Sequence, residues 1–136
     1  MISFTKDDIE QSIAARFEHV VEQCPNRLAV EFGTERLTYR QLNDRASGFA
    51  RVVLERCSPG KKMVMALLPQ GVTLLSVILA ILKAGKTYVP FDPSFPQRWI
   101  AQVVAEVDAG LIVADKSADS IAQQACAGHC DFLLVD

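Results

Sequence analysis

Few side chains in this sequence could do chemistry, and their spacing narrows what that chemistry could be. Cys126-Ala127-Gly128-His129-Cys130 places two thiols and an imidazole within one short segment, and these are residue types that bind zinc. A structural zinc takes four such ligands, yet Cys24 and Cys57 stand alone near predicted helix ends and form no second close pair. Reduced thiols in a cytoplasmic protein are therefore the expectation, and no metal ligand is assigned. Lys83 and Lys86 flank Gly85, where two cations could meet a phosphate. That turn lacks the glycine-rich loop and hydroxyl residues that cradle phosphates, so solvated lysines are expected. Asp92 and Asp115 fall near the ends of predicted strands, where open parallel sheets bind ligands. The commoner use of an aspartate there is to cap the following turn or helix, and capping is expected of both. His19 lies on an amphipathic helix and His129 in a late turn, neither with a nucleophile or acid to work with. No residue is assigned as catalytic, cofactor-binding or metal-binding.

The elements that would position these groups can be read from the apolar pattern. Ile13, Phe17, Val20 and Val21 form one stripe of a helix predicted over Ser12–Gln23, which Pro25-Asn26 ends. Leu28–Phe32 and Arg36–Thr38 bracket Gly33-Thr34 and predict a hairpin. Thr38 begins the next helix, with Gln41 three residues on completing a capping box, and Ser58-Pro59-Gly60 closes it. Strands and helices then alternate. Met63–Leu68, Thr87–Phe91, Leu111–Ala114 and Phe132–Val135 read as strands. Val72–Lys83, a helix starting at Pro96 and reaching Val107, and Ser117–Ala127 read as the helices between them. Apolar strands separated by helices predict an α/β fold, an open and mainly parallel layered sheet flanked by helices, with a small N-terminal helix and hairpin. No linker is visible, so residues 1–136 are read as one domain.

Composition removes several classes of function. Half of the residues are apolar and the formal net charge is −2, with acids and bases interspersed. A mean hydropathy of +0.19 suits a sheet buried on both faces. No basic block or aromatic-basic alternation is present, so neither nucleic acid nor an anionic membrane surface is an expected partner. No charge occurs from Met63 to Leu82, but Pro69-Gln70-Gly71 divides that run into a strand and a helix, each too short to span a bilayer. The start of the chain carries early acids and no apolar run, unlike a secretory signal.

Two segments carry a family resemblance. Leu37-Thr38-Tyr39-Arg40-Gln41-Leu42 resembles the first core motif of the adenylation domains of nonribosomal peptide synthetases, commonly L(T/S)YxEL, with Gln41 in place of Glu. Leu82-Lys83-Ala84-Gly85-Lys86-Thr87-Tyr88-Val89-Pro90-Phe91-Asp92-Pro93 resembles the second, usually close to LKAGxAYVPID. Between them, Val64–Leu79 is similar to the family's VGVLLPRSxELVVALLAVLKAG. Ahead of them, Arg16-Phe17-Glu18 and Pro25–Val30 are similar to FExQVxxxPDxxAV. The likeness covers about Ser12 to Asp115. Small departures are Gln70 for Arg, Phe91 for an aliphatic residue and Trp99 for Leu or Ile.

The resemblance implies part of the large subdomain of an AMP-binding enzyme of secondary-metabolite, including antibiotic, biosynthesis. Such enzymes activate an amino or other carboxylic acid with ATP and Mg²⁺, then pass the acyl group to the phosphopantetheine thiol of a carrier protein. It assigns Leu37, Thr38, Tyr39, Leu42, Lys83, Gly85, Tyr88, Val89, Pro90 and Asp92 to structural core motifs. The family's Ser/Thr/Gly-rich phosphate loop, ribose-binding aspartate and C-terminal lysine have no counterpart in this sequence. The chain alone is thus expected to be inactive and to need the remainder of an adenylation domain. The alternative reading is a natural short protein that complements a split adenylation enzyme. A truncated sheet would leave an open edge or apolar face and favour self-association.

Overall fold

The computed structural model describes residues 4–135. It begins with a helix that the periodicity does not announce, α1 (Lys6–Glu10). Five residues are too few for an apolar stripe, and a local cap defines it instead: the Thr5 N–H donates to Asp8 Oδ2 at 2.7 Å. Helix α2 (Ile13–Gln23) starts where Ser12 Oγ accepts the Ala15 N–H at 3.1 Å. Strands β1 (Leu28–Phe32) and β2 (Glu35–Thr38) form the expected antiparallel hairpin, its turn made by Gly33 at φ +59°. Next comes α3 (Tyr39–Arg56). Thr38 Oγ1 accepts the Gln41 N–H at 3.2 Å, and Gln41 Oε1 accepts the Thr38 N–H at 2.8 Å. The capping box is therefore complete with Gln in its second position, a contribution of about 1 kcal/mol.

The main sheet holds β3 (Met63–Leu67), β4 (Thr87–Pro90), β5 (Leu111–Ala114) and β6 (Asp131–Leu134), all parallel, in the order β4-β3-β5-β6. Helices α4 (Val72–Lys83), α5 (Gln97–Val107) and α6 (Asp119–Cys126) connect them. Several boundaries differ by a residue from the sequence expectation, those of α2, β2, β3, β4 and β6 among them, and two further helix starts differ for a visible reason. Pro96 is the N-cap of α5 and not its first helical residue, its carbonyl accepting the Ile100 N–H at 3.3 Å. The Ser117–Ala127 helix is divided into a single 3-10 turn (Lys116–Ala118) and α6, because Asp115 draws the first turn tight by accepting from the Ser117 N–H at 3.0 Å.

The strands alternate their side chains between two cores. Met65, Leu67, Ile112 and Ala114 pack on α5 and α6 through Ile100, Val104, Ala122 and Ala125. Val64, Ala66, Leu111 and Val113 pack on the opposite side with Val53 of α3 and Val77 and Ile81 of α4. Both faces are covered, so β3 and β5 read as continuous apolar runs. A third cluster of Leu37, Leu42, Ala46, Val72 and Leu79 seats the hairpin on α3 and α4. Among the described residues no helix is long and apolar enough to cross a membrane.

Candidate functional site

The chain leaves β3 for β4 on one side and returns to β5 on the other. In an open α/β sheet the crevice beyond such a switch point is where ligands bind. Here it measures about 290 Å³ and is lined by Phe32, Leu68, Gln70, Gly71 and Asp115 among others. Asp115 is committed to structure, since its Oδ1 accepts from both the N–H and the Oγ of Ser117, at 3.0 and 2.5 Å. Asp92, beyond the end of β4, accepts the Ser94 N–H at 2.9 Å. That backbone hydrogen bond, with a side-chain one from the same residue, holds the Asp92 carboxyl below its ordinary value. Both aspartates cap turns, as their positions suggested.

The first motif is a scaffold. Leu37 and Leu42 are buried, Thr38 caps α3, and the Tyr39 ring lies 6.2 Å from that of Phe17, tying α3 to α2. The second is a helix-to-strand joint. Gly85 at φ +72° lets the Lys86 N–H reach Ile81 O and its own N–H reach Leu82 O, both at 3.0 Å, a Schellman ending for α4. Tyr88 and Val89 are half-buried, and burial pushes the Tyr88 phenol up. Pro90 ends β4 opposite Ala66.

Neither lysine of this joint is simply solvated, which corrects the sequence expectation. Lys83 has a side chain only 8% exposed; its Nζ donates to Glu18 Oε1 at 2.6 Å and lies 5.9 Å from the centre of the Phe17 ring. Lys86 Nζ donates to Lys61 O at 3.0 Å. Their ammonium groups tie α4 to α2 and the start of β4 to the start of β3. His19 is within 3.0 Å of Gln23 on the same helix, while His129 lies in the exposed turn after α6. Among the described residues no three His, Cys, Asp or Glu side chains are placed to hold a metal ion.

Several structural pairs join residues too distant in sequence to be foreseen. Arg56 Nε donates to Asp131 Oδ2 at 2.5 Å and Arg56 Nη2 to Phe132 O at 2.8 Å, fastening the end of α3 to β6. Lys61 is paired with Asp108, the αL residue that ends α5. The pair Cys126–Cys130 was visible as a spacing, but its closeness, 2.8 Å between sulfurs, needed the fold.

Residues 17–134 match the family model described as AMP-binding enzyme. The match continues past the motif region through α6 and β6. Tyrocidine synthase 3 of Brevibacillus parabrevis is 38% identical over 97 residues, which is 71% of this chain and 2% of that protein. Bacitracin synthase 3 of Bacillus licheniformis is 34% identical over 121 residues, 88% of this chain and again 2% of the relative. The crystal structure of IdnL7 superposes with a TM-score of 0.80 at 30% identity, covering 92% of this chain and 25% of that one. The chain thus spans only a small part of the proteins it matches. With the family model matched across most of its length, the chain belongs to the AMP-binding enzyme family.

Proposed function

We propose that this chain forms the N-terminal part of the large subdomain of an adenylation domain in nonribosomal peptide synthesis. The complete enzyme would activate a carboxylic acid as its acyl adenylate at the expense of ATP, with Mg²⁺, and hand the acyl group to a carrier-protein thiol. The observation that carries this reading is the family match over residues 17–134, joined to core-motif residues that build the scaffold.

The residues described here do not themselves fit ATP and its metal. Phosphoryl transfer needs fixed donors and positive charge converging on the phosphates. In the switch-point crevice two carboxylates are present and both are engaged, Asp115 with Ser117 and Glu35 with Arg45 at 3.6 Å, and the ammonium groups of Lys83 and Lys86 are paired elsewhere. What this chain contributes is a rigid parallel sheet against which the remainder of the domain, carrying the phosphate loop, would fold. The same reading includes association of the free chain through its open sheet edge and places the protein in the cytoplasm.

ATP–pyrophosphate exchange by the purified chain, screened across amino and aryl acids, tests the assignment of chemistry to residues outside it. Exchange at background level is expected, and its recovery when the remainder of an adenylation domain is supplied would support the reading. Exchange by the chain alone would overturn it.

A further inference from the structure

We propose that Cys126 and Cys130 form a thiol-modification site, at which a hydroperoxide oxidises the pair to an intrachain disulfide across the α6–β6 turn. Cys126 is the last residue of α6. Ala127 at φ +32° and Gly128 at φ +85° then reverse the chain, and the His129 N–H closes the turn on Cys126 O at 2.6 Å. The reversal brings the Cys130 sulfur to 2.8 Å from that of Cys126, with both cysteines free. A disulfide has its sulfurs about 2.05 Å apart, so closure asks for less than about 1 Å of movement.

The two thiols are placed unequally. Cys126 is 3% exposed and packs in the core beneath α6, with its sulfur 3.2 Å from Asp131 O. Cys130 is half-buried at the end of an exposed turn, residues 127–129. The hydrogen bond from Cys126 holds the Cys130 thiol below its ordinary value, and the Lys61 charge acts in the same direction against burial and Asp131. Sharing that proton and being buried push Cys126 up. The accessible partner is therefore the better thiolate and the buried one stays protonated.

The chemistry balances with the peroxide as oxidant. The Cys130 thiolate attacks the peroxide oxygen, breaking the O–O bond, and becomes a sulfenic acid as hydroxide or alkoxide departs. The Cys126 sulfur then attacks the sulfenyl sulfur; its proton and the sulfenic oxygen leave as water, and the S–S bond forms. Overall two thiols lose two hydrogens to one peroxide. None of this depends on the adenylation reading.

Peptide mapping of the whole chain decides it. No Lys or Arg follows Lys116, so trypsin leaves both cysteines in one peptide, Ser117–Asp136. After reduction, desalting and treatment with stoichiometric hydrogen peroxide, that peptide should be lighter by two hydrogen atoms and resist alkylation until dithiothreitol is added. Cys24 and Cys57 should remain alkylatable, so the protein loses two of its four reactive thiols. In Cys130→Ser, checked for folding by circular dichroism, the two-hydrogen loss should vanish. The proposal is overturned if the wild-type peptide only gains oxygen or stays alkylatable while other thiols oxidise. A disulfide from Cys130 to Cys57 would also overturn it.

Discussion

Single residues set local strain and local fit. Ala127 ends α6 in the left-handed region, where a Cβ costs about 1–2 kcal/mol relative to glycine. Glycine also widens the unfolded ensemble by about 0.4–1 kcal/mol, so Ala127→Gly should stabilise the chain by a net ~0.5 kcal/mol. Thermal unfolding should show a rise of about 2 °C, and a fall would mean that the left-handed turn is not formed in solution. Gly110 is the opposite case. It opens β5 with its N–H donating to Met63 O at 2.8 Å, and a Cβ there would lie 2.5 Å from Lys61 Cβ and 2.6 Å from Cys57 Sγ. Gly110→Ala should therefore destabilise by about 1–3 kcal/mol through overpacking between α3 and β5, read as a lowered midpoint in urea. Thr38, Gly85, Asp92 and Asp115 were legible in the sequence because each acts on neighbours within five residues. Lys83 was not, because its partner Glu18 lies 65 positions away.

At the scale of elements, the alternation of strands and helices was legible because both sheet faces are covered and the strands read as apolar runs. Strand order was not, since β3, β5 and β6 are similar apolar segments whose neighbours are decided by packing. Two charged side chains illustrate how elements are fastened. The Lys83 stem is buried between α4 and α2, so Lys83→Ala should cost about 1–2 kcal/mol, whereas Lys83→Met, which keeps the stem, should cost less than half of that. Equal losses in urea titrations would show that the Glu18 pair, not the stem, carries the contact. The second fastener is Arg56, whose hydrogen bond to Asp131 holds that carboxyl below its ordinary value, helped by the Phe132 N–H. A depressed carboxylate contributes stability above its unfolded value, 3.8, and that contribution is lost as pH falls through the lower folded value. Both side chains are more than a third exposed, so solvent screening limits the effect to about 0.5 kcal/mol. Asp131→Asn should therefore lower the melting temperature at pH 7 by a degree or two and lose its difference from the wild type at acidic pH. A difference that persists at pH values well below 3.8 would show that the carboxylate charge is not the source.

For the whole molecule, the two outer strands of the sheet are not equivalent. The outer strand β4 ends in Pro90, which has no N–H to offer, and Pro93 follows shortly after. The other outer strand, β6, carries no proline, and Leu134 on it is 42% exposed. Beside it lies a groove of about 550 Å³ whose apolar side is formed by Phe49, Val52, Leu133, Leu134 and Val135 and whose polar side includes the Glu35–Arg45 ion pair. An unprotected edge next to apolar surface is a template for another strand. IdnL7, which shares the fold, has a chain of which this one covers 25%, so in a longer relative there is ample polypeptide to lie against such an edge. With the chain alone in solution, the nearest supplier of a strand is a second copy. Sedimentation velocity across a hundredfold concentration range should therefore show a shift from monomer toward dimer. Leu134→Lys, which puts a charge on the edge, should abolish the shift while leaving the circular dichroism spectrum unchanged. A wild-type chain that stays monomeric throughout would mean that β6 is protected as it stands and offers no template for a second copy.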